Sequence, residues 1–195
     1  MKTLTSQRLT LRPLREGEEA VICSLLADVK TMMHLLAGRA MNQAEAHAFI
    51  DRYFTSEHES IGMGVLVDHR TSDIAGFAGI IATSCIGQED YEFGFVVDEK
   101  YRGRRYATEI GCLQIAYSLE ALGLPRILAL VHPDNITSLA VIEEHLELVR
   151  IATIPATSDR GDRIVFCRDK YHGMPGICQC DWTRYDLKPP GFALG

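Results

Sequence analysis

The spacing of apolar and polar positions changes several times along the chain, and each change predicts a different element. Over residues 8–14 apolar residues occupy every second position, which predicts a half-buried strand. Over residues 18–36 and 42–54 they recur at spacings of three and four, which predicts two amphipathic helices. Asn42 followed by Glu45 resembles a capping box and marks the start of the second helix.

The remaining pattern predicts a sheet with helices around it. Three β-rich runs predict an antiparallel meander, at residues 63–68, 74–81 and 90–97. The second half predicts a helix over 107–122, a buried strand over 126–131, a helix to about Leu146, and closing strands over 148–154 and 163–166. This order predicts an α/β (α+β) fold with a central mixed, mostly antiparallel sheet flanked by helices, and not a doubly wound parallel sheet.

Length and composition exclude several classes of protein. The 195 residues suit one domain, which we expect over residues 1–167, with an irregular extension over 168–195 that glycine and proline interrupt. No apolar stretch reaches the roughly 18 residues of a membrane helix, and the N-terminus lacks a signal peptide, so we expect a cytoplasmic protein without membrane contact. The net charge of −6 argues against direct nucleic-acid binding. The six cysteines are expected to be mostly reduced.

The end of the expected domain and the extension together contain several residues of types that bind zinc. They are Cys167, His172, Cys178, Cys180 and Asp181. A single C-x-C pair without a matched second pair does not make a zinc motif, so we expect no metal site. Trp182 and Tyr185 are expected to cover an apolar surface, either of this chain or of a second copy in a homodimer.

One short loop is basic, although the chain as a whole is acidic. Lys100, Arg102, Arg104 and Arg105 place four positive charges in six positions, between a predicted strand and a predicted helix. The N-terminus of a helix offers unpaired N–H groups to a phosphate, and Gly103 allows its close approach. The Walker and dinucleotide glycine motifs are both absent. A solvated basic turn and a nucleic-acid patch are the alternatives, but the position at a strand-to-helix junction favours a phosphorylated ligand.

Four segments in this order resemble the GCN5-related N-acetyltransferases (GNAT), and among them the ribosomal-protein-alanine N-acetyltransferase group. They are SQRLTLRPL near the N-terminus, YEFGFVV at 91–97, YRGRRYATE at 101–109 and VHPDNITSLAVIE at 131–143. The resemblance covers roughly residues 4–154. It implies a single GNAT-like domain with splayed strands at the cofactor site, acetyl-CoA as cosubstrate, and an amine as acceptor.

The resemblance also implies which residues bind acetyl-CoA. The pyrophosphate loop corresponds to Arg102, Gly103, Arg104, Arg105, Tyr106 and Ala107, with Tyr106 and Thr108 supporting it. The pantetheine arm is expected at the backbone of Phe95, Val96 and Val97, and at Asn135. Arg105 replaces the usual second glycine, so either its side chain points away from the phosphates or the loop has a different conformation. Residues 143–149 also depart from the family, through a missing glycine and an apparent one-residue insertion.

Candidate catalytic residues come from the strand and from the second helix start. Glu92 lies between Tyr91 and Phe93, so it should point to the opposite face of the strand, where it is either a base for the amine or a strand glutamate that pairs with a cation. The resemblance assigns Ser138 the proton for the thiolate and Asn135 a contact with the cofactor arm, although both also suit helix capping. The family's usual tyrosine corresponds to Ile142. His132 is a weaker candidate base than Glu92.

Two functions from different classes remain open at this point. The first is an N-acetyltransferase that acts on a protein N-terminus or a small-molecule amine by direct attack in a ternary complex. The second is a non-catalytic sensor on the same fold that binds CoA or another phosphorylated ligand. The acidic composition favours a cationic amine only as a general bias.

Overall fold

The computed structural model describes residues 2–56, 58–158 and 160–170 and confirms the predicted α/β fold. The strands are β1 (Leu4–Thr5), β2 (Leu9–Arg12), β3 (Gly62–Asp68), β4 (Ile74–Thr83), β5 (Asp90–Val97), β6 (Arg126–Val131), β7 (Val149–Ile154) and β8 (Arg163–Asp169). The helices are α1 (Glu19–Ala27), α2 (Val29–Met32), α3 (Gln43–Tyr53), α4 (Tyr106–Ala116) and α5 (Ile136–Ala140).

The described strands form one sheet in the order β1-β2-β3-β4-β5-β6-β8-β7. Neighbouring strands are antiparallel except for β5 and β6, which are parallel, so the mixed and mostly antiparallel sheet is confirmed. The predicted meander corresponds to β3, β4 and β5. The first strand is shorter than predicted, and β1 precedes it. The last strand runs to Asp169, past the boundary expected at residue 167.

Alternation along the central strands β3 and β4 sends apolar side chains to two cores, one on each face of the sheet, while a smaller cluster lies around β6 and β8. Val65 and Phe77 pack with α1, α2 and α3, whereas their neighbours Leu66 and Ala78 pack with α4 on the other face. Both cores therefore depend on the same central strands, and the sheet separates the two groups of helices.

The first predicted helix is wrong in one respect, because it is broken at Asp28. Asp28 has extended backbone angles (φ −81°, ψ 117°), and its Oδ2 accepts a hydrogen bond from the N–H of Thr31 at 2.7 Å. A short acidic side chain competes with the helical backbone in this way, so α1 ends and α2 begins. The capping box of α3 is confirmed: Asn42 Oδ1 accepts from Glu45 N at 3.0 Å, and Glu45 Oε2 accepts from Asn42 N at 2.9 Å.

Helices α4 and α5 each continue into a wider turn, over Tyr117–Ala121 and Val141–His145. In the second of these turns Leu146 N donates to the carbonyl of Val141, five residues earlier, at 2.9 Å. Such a turn holds one residue more than an α-helical turn and accounts for the apparent insertion in this segment. Glu147 then adopts a left-handed φ of +54°, a conformation that the missing glycine would adopt without strain.

The parallel strands β5 and β6 pair near their first residues, through one register pair and one ion pair among the described residues. Arg126 Nε donates to Asp90 Oδ2 at 3.0 Å, and Glu92 is the β5 residue in register with Leu128 of β6. Strand β5 then continues along β4 as far as Val97, without further register pairs to β6 among the described residues. The carboxyl ends of β5 and β6 are therefore splayed, as the resemblance implied.

Candidate active site

A cavity of about 570 Å³ lies where the end of β5 meets the first turns of α4 and α5; we call it the junction cavity. It brings together seven of the predicted cofactor-binding and catalytic residues: Phe95, Val96, Val97, Arg102, Ala107, Asn135 and Ser138. Lys30 and Thr31 of α2 form part of the opposite wall. Residues more than a hundred positions apart in sequence thus share one cavity.

The open edge of β5 supplies peptide groups to this cavity. Asp98 N donates to the carbonyl of Ala75 in β4 at 2.9 Å, so alternation directs the peptide groups of Phe95 and Val97 away from β4 and toward the splayed opening. The carbonyl of Val97 accepts a hydrogen bond from Arg102 Nε at 3.1 Å, which agrees with this orientation. The edge can therefore bind an extended chain that carries amide groups.

The basic loop leaves the N-terminus of α4 without a side-chain cap. Arg105 is the residue before the helix, and its side chain makes no capping hydrogen bond. Its φ is +61°, and that of Gly103 is +75°, so both positions have the left-handed conformation that favours glycine. The side chain of Arg105 is exposed and does not line the junction cavity. The structure thus agrees with an arginine that points away from a ligand at this helix start, where the first N–H groups lack helical acceptors.

Arg104 and Tyr106 hold the loop against β3 instead of lining the cavity. Tyr106 Oη donates to Asp68 Oδ2 at 2.8 Å, and Arg104 Nη1 lies 3.6 Å from the same oxygen. The guanidinium of Arg8 lies over the Tyr106 ring, 5.0 Å from its centre. Tyr106 therefore supports the loop through its side chain. Thr108 lies partly buried in the first turn of α4.

The start of α5 carries the other predicted site residues. Asn135 Oδ1 accepts a hydrogen bond from Ser138 N at 3.1 Å, so Asn135 caps this helix while both residues line the junction cavity. Ile142, at the position of the family's tyrosine, is only 2% exposed and belongs to the core. His132 accepts a hydrogen bond from Asp134 N at 3.1 Å through Nδ1, and its ring centre lies 5.2 Å from that of His34. His132 is outside both cavities.

A second cavity of about 170 Å³, here called the inner cavity, lies on the α1–α3 face of the sheet. It shares His34, Leu35, Phe95 and Val96 with the junction cavity, so the two cavities meet beside the end of β5. Its polar residues are Glu92, His34, Arg160 and Arg163. Its apolar wall includes Leu26, Met32, Phe49, Met63 and Phe77.

Glu92 points into the inner cavity, away from the core that contains Tyr91 and Phe93, so its predicted orientation is confirmed. Its Oε2 is buried without a hydrogen-bond partner among the described residues. Burial raises the pKa of Glu92, opposed in part by a hydrogen bond with Thr83 and by the charges of Arg160 and Arg163. A carboxylate with a raised pKa accepts a proton more readily near neutral pH.

Comparison with known proteins decides the family. A family model described as an acetyltransferase (GNAT) domain matches residues 8–145. The chain belongs to the GNAT acetyltransferase family. Among curated relatives of this GNAT chain is the uncharacterized N-acetyltransferase YnaD of Bacillus subtilis (strain 168), 23% identical over 141 residues that cover 72% of this chain and 79% of YnaD.

Solved structures show the same GNAT fold. A GNAT-family acetyltransferase from Bacillus anthracis matches with a TM-score of 0.69 and 19% identity, over 86% of this chain and 98% of that one. The spermidine N-acetyltransferase of Vibrio cholerae, in complex with CoA and spermine, matches with a TM-score of 0.66 and 18% identity, over 83% of this chain and 95% of that one. The ribosomal-protein-alanine group stays a prediction for this GNAT chain.

Sequence reasoning missed several polar residues that line the two cavities of this GNAT chain, among them Lys30, His34, Arg160 and Arg163. Lys30 and His34 follow the unpredicted break at Asp28, so a continuous helix would place them differently. Arg160 precedes β8 and Arg163 begins it, where a charged residue is ordinarily solvated. Only the packing of this segment against the carbonyl of Leu36 brings the two arginines into the inner cavity.

The zinc-type residues of the GNAT chain's extension, His172, Cys178, Cys180 and Asp181, lie outside the described residues, as do Trp182 and Tyr185. Cys167 is a buried free thiol on β8, and Cys23 and Cys85 are also free. Within the described ranges, His, Cys, Asp and Glu side chains form no group that could hold a metal ion. In the same ranges, the helices are too short or too polar to cross a membrane.

Proposed function

We propose that the protein is an acetyl-CoA-dependent N-acetyltransferase, in which a bound primary amine attacks the thioester directly in a ternary complex. The observation that carries this proposal is the meeting of the junction and inner cavities beside Phe95 and Val96. A cosubstrate held from one side and an amine held from the other would approach each other at the splayed end of β5.

The junction cavity has the groups that acetyl-CoA requires. The peptide groups of Phe95 and Val97 suit the amides of the pantetheine arm, and the uncapped start of α4 with Arg102 suits the pyrophosphate. Acetyl-CoA supplies the thioester whose acetyl group is transferred. An N–H on the open edge of β5 would also bind the carbonyl oxygen as negative charge develops on it.

Glu92 and Ser138 have complementary roles in this proposal. Glu92 accepts the proton that leaves the amine, directly or through a water, and its raised pKa suits that task. The amine nitrogen bonds to the acetyl carbon while the carbon–sulfur bond breaks. Ser138, on the other cavity, donates a proton to the departing thiolate. Asn135 holds the turn that positions Ser138.

The alternative is a non-catalytic sensor that binds CoA, and one observation favours it. Ile142 is buried in the core where relatives have a tyrosine, so Ser138 would have to supply the proton without that tyrosine. Such a module would bind acetyl-CoA and CoA and release no thiol with any amine.

Two measurements test the proposed function. Thermal shift is measured with acetyl-CoA and with CoA, and thiol release is then measured with N-terminal peptides, amino acids, polyamines and aminoglycosides. Stabilisation by acetyl-CoA together with amine-dependent thiol release supports the transferase. Absence of a shift with either cofactor form contradicts it, and binding without thiol release favours the sensor. Gel filtration with light scattering tests the predicted homodimer.

A further inference from the structure

The polar groups of the inner cavity indicate what kind of amine it accepts. Resting on the proposed function, we propose that the acceptor is a small amine that also carries an anionic group, such as an α-amino acid with an apolar side chain. Arg160 and Arg163 would bind the anionic group, and Glu92 would face the amine.

Arg163 is a buried cation that forms no ion pair with the described residues. Its residue is only 5% exposed, and its Nη1 and Nη2 donate to the carbonyls of Asp162 at 2.8 Å and Leu36 at 2.9 Å. No ion pair of Arg163 occurs among the described residues. Burial, together with the charge of Arg160, lowers the pKa of Arg163. Its guanidinium is thus fixed by neutral acceptors, and no carboxylate of the described residues lies within ion-pair distance of it, although the charges of Glu92 and Asp162 partly offset the lowering of its pKa.

Arg160 adds a second cation with an unused donor. Its Nη1 is buried without a hydrogen-bond partner, and no carboxylate pairs with it within the described ranges. Buried donors of this kind are costly unless a ligand or water satisfies them. Two neighbouring guanidinium groups with free donor capacity form a suitable site for a carboxylate.

The balance of charge distinguishes between classes of amine. Among its described lining residues, the inner cavity holds one carboxylate, from Glu92, and two guanidinium groups, from Arg160 and Arg163. The resulting net positive charge repels a polyamine, whereas an amino acid offers one charge of each sign. The apolar wall of Phe49, Phe77 and neighbouring residues suits an aliphatic or aromatic side chain. The small volume of about 170 Å³ favours a molecule of that size.

The test compares amines that differ only in the anionic group. L-leucine is compared with L-leucinamide and 3-methylbutylamine, and L-phenylalanine with L-phenylalaninamide and phenethylamine, with spermidine as the polycation. We expect kcat/KM for each amino acid to exceed that of its counterparts without a carboxylate by about 10- to 100-fold, the effect of one or two charged hydrogen bonds. The amide has the more easily deprotonated amine, so amine reactivity alone predicts the opposite order.

Variants then assign the preference to the arginines. Arg160→Gln is expected to remove most of the preference for the carboxylate, and Arg160→Lys to restore part of it. Arg15→Gln, at an exposed arginine outside both cavities, is the matched control and should keep the full preference. Arg163→Gln is a second variant, whose folding is checked first because Arg163 also holds the carbonyl of Leu36.

Failure of this inference is distinguishable from failure of the proposed function. If the amines without a carboxylate, or spermidine, are acetylated with a kcat/KM equal to that of the amino acids, the proposed acetyltransferase activity stands and the proposed substrate class is wrong. Binding of the same compounds is also measured by calorimetry with CoA present, where no transfer takes place. If thiol release is absent with every amine, the proposed function fails. Equal binding of leucine and leucinamide in that experiment still overturns the inference, and tighter binding of leucine supports it.

Discussion

Asp90 and Arg126 tie together the first residues of the two parallel strands, β5 and β6. The carboxylate of Asp90 is nearly inaccessible, and Arg126 donates to both of its oxygens, at 3.2 Å to Oδ1 and 3.0 Å to Oδ2 through Nε. The carboxyl ends of the same strands lack such a tie and form the opening between the two cavities. The site thus depends on strands that are fixed at one end and free at the other.

Loss of the ion pair between Asp90 and Arg126 should lower the free energy of unfolding and disturb the opening between the two cavities. Arg126→Gln leaves the buried Asp90 carboxylate without its charged partner, and we expect a loss of about 1–3 kcal/mol in the free energy of unfolding. Urea denaturation checks this value, and the KM for acetyl-CoA checks the opening. Arg150→Gln on β7 removes an exposed arginine and should change neither quantity. A similar loss in both variants would contradict the role of the Asp90–Arg126 pair.

Glu92→Gln should lower the activity of the protein and raise its stability. In the wild-type protein, the stability contributed by Glu92 falls as the pH rises, whereas the activity rises. Because burial raises the pKa of Glu92, the folded protein keeps this proton to a higher pH than the unfolded chain. The contribution of Glu92 to stability is present below the ordinary glutamate pKa, and it is lost as the pH rises through the raised pKa of Glu92. The variant's advantage in melting temperature should therefore grow as the pH rises from the ordinary glutamate pKa through the raised pKa of Glu92.

The activity of the wild-type protein should fall as pH decreases through the same raised pKa, because a protonated Glu92 cannot accept the amine's proton. Glu92→Gln should lose about 10²- to 10⁴-fold in kcat/KM and the acid limb of the pH profile. Glu89→Gln, at an exposed position before β5, is the control. An unchanged pH profile in Glu92→Gln would exclude Glu92 as the base.

Ser138→Ala should reduce kcat by about 10²-fold and leave the KM for acetyl-CoA nearly unchanged, because a proton donor acts on the leaving thiolate. The backbone N–H of residue 138 still bonds to Asn135, so the turn is preserved. Thr137→Val, in the same turn and the same cavity, is the matched control. A larger effect on cofactor binding than on turnover would contradict the proposed role.

Arg105→Gly should stabilise the protein by about 0.5–1 kcal/mol, because Arg105 has a φ of +61° and glycine adopts this conformation without strain. Arg105→Ala removes the same charge but keeps the Cβ atom, so it should not stabilise. Chemical denaturation of the pair separates strain from charge. Equal stability of the two variants would show that backbone strain at this position is negligible.

The sequence by itself determined the order of the elements, the α/β class and the basic loop before α4, whereas the other predicted residues of the junction cavity came from the resemblance to the family. The order, the class and the loop follow from local signals: the two- and 3.6-residue periods, the Asn42–Glu45 cap, and a glycine with four cations before a helix. Such signals depend on neighbours within a few residues, so they can be recognised in the sequence without knowledge of the fold. The break at Asp28 was missed because the apolar residues keep a helical spacing both before and after Asp28, so the pattern alone does not show where one helix ends and the next begins.

Only the tertiary structure decided the chemistry of the inner cavity. Glu92, His34, Arg160 and Arg163 come from three distant segments, and no spacing along the chain relates them. The composition suggested a cationic acceptor from a net charge of −6, but charges on the surface are screened by solvent. The sign of the potential in the inner cavity is set by the few buried groups that face it, and the fold places two arginines and one glutamate there.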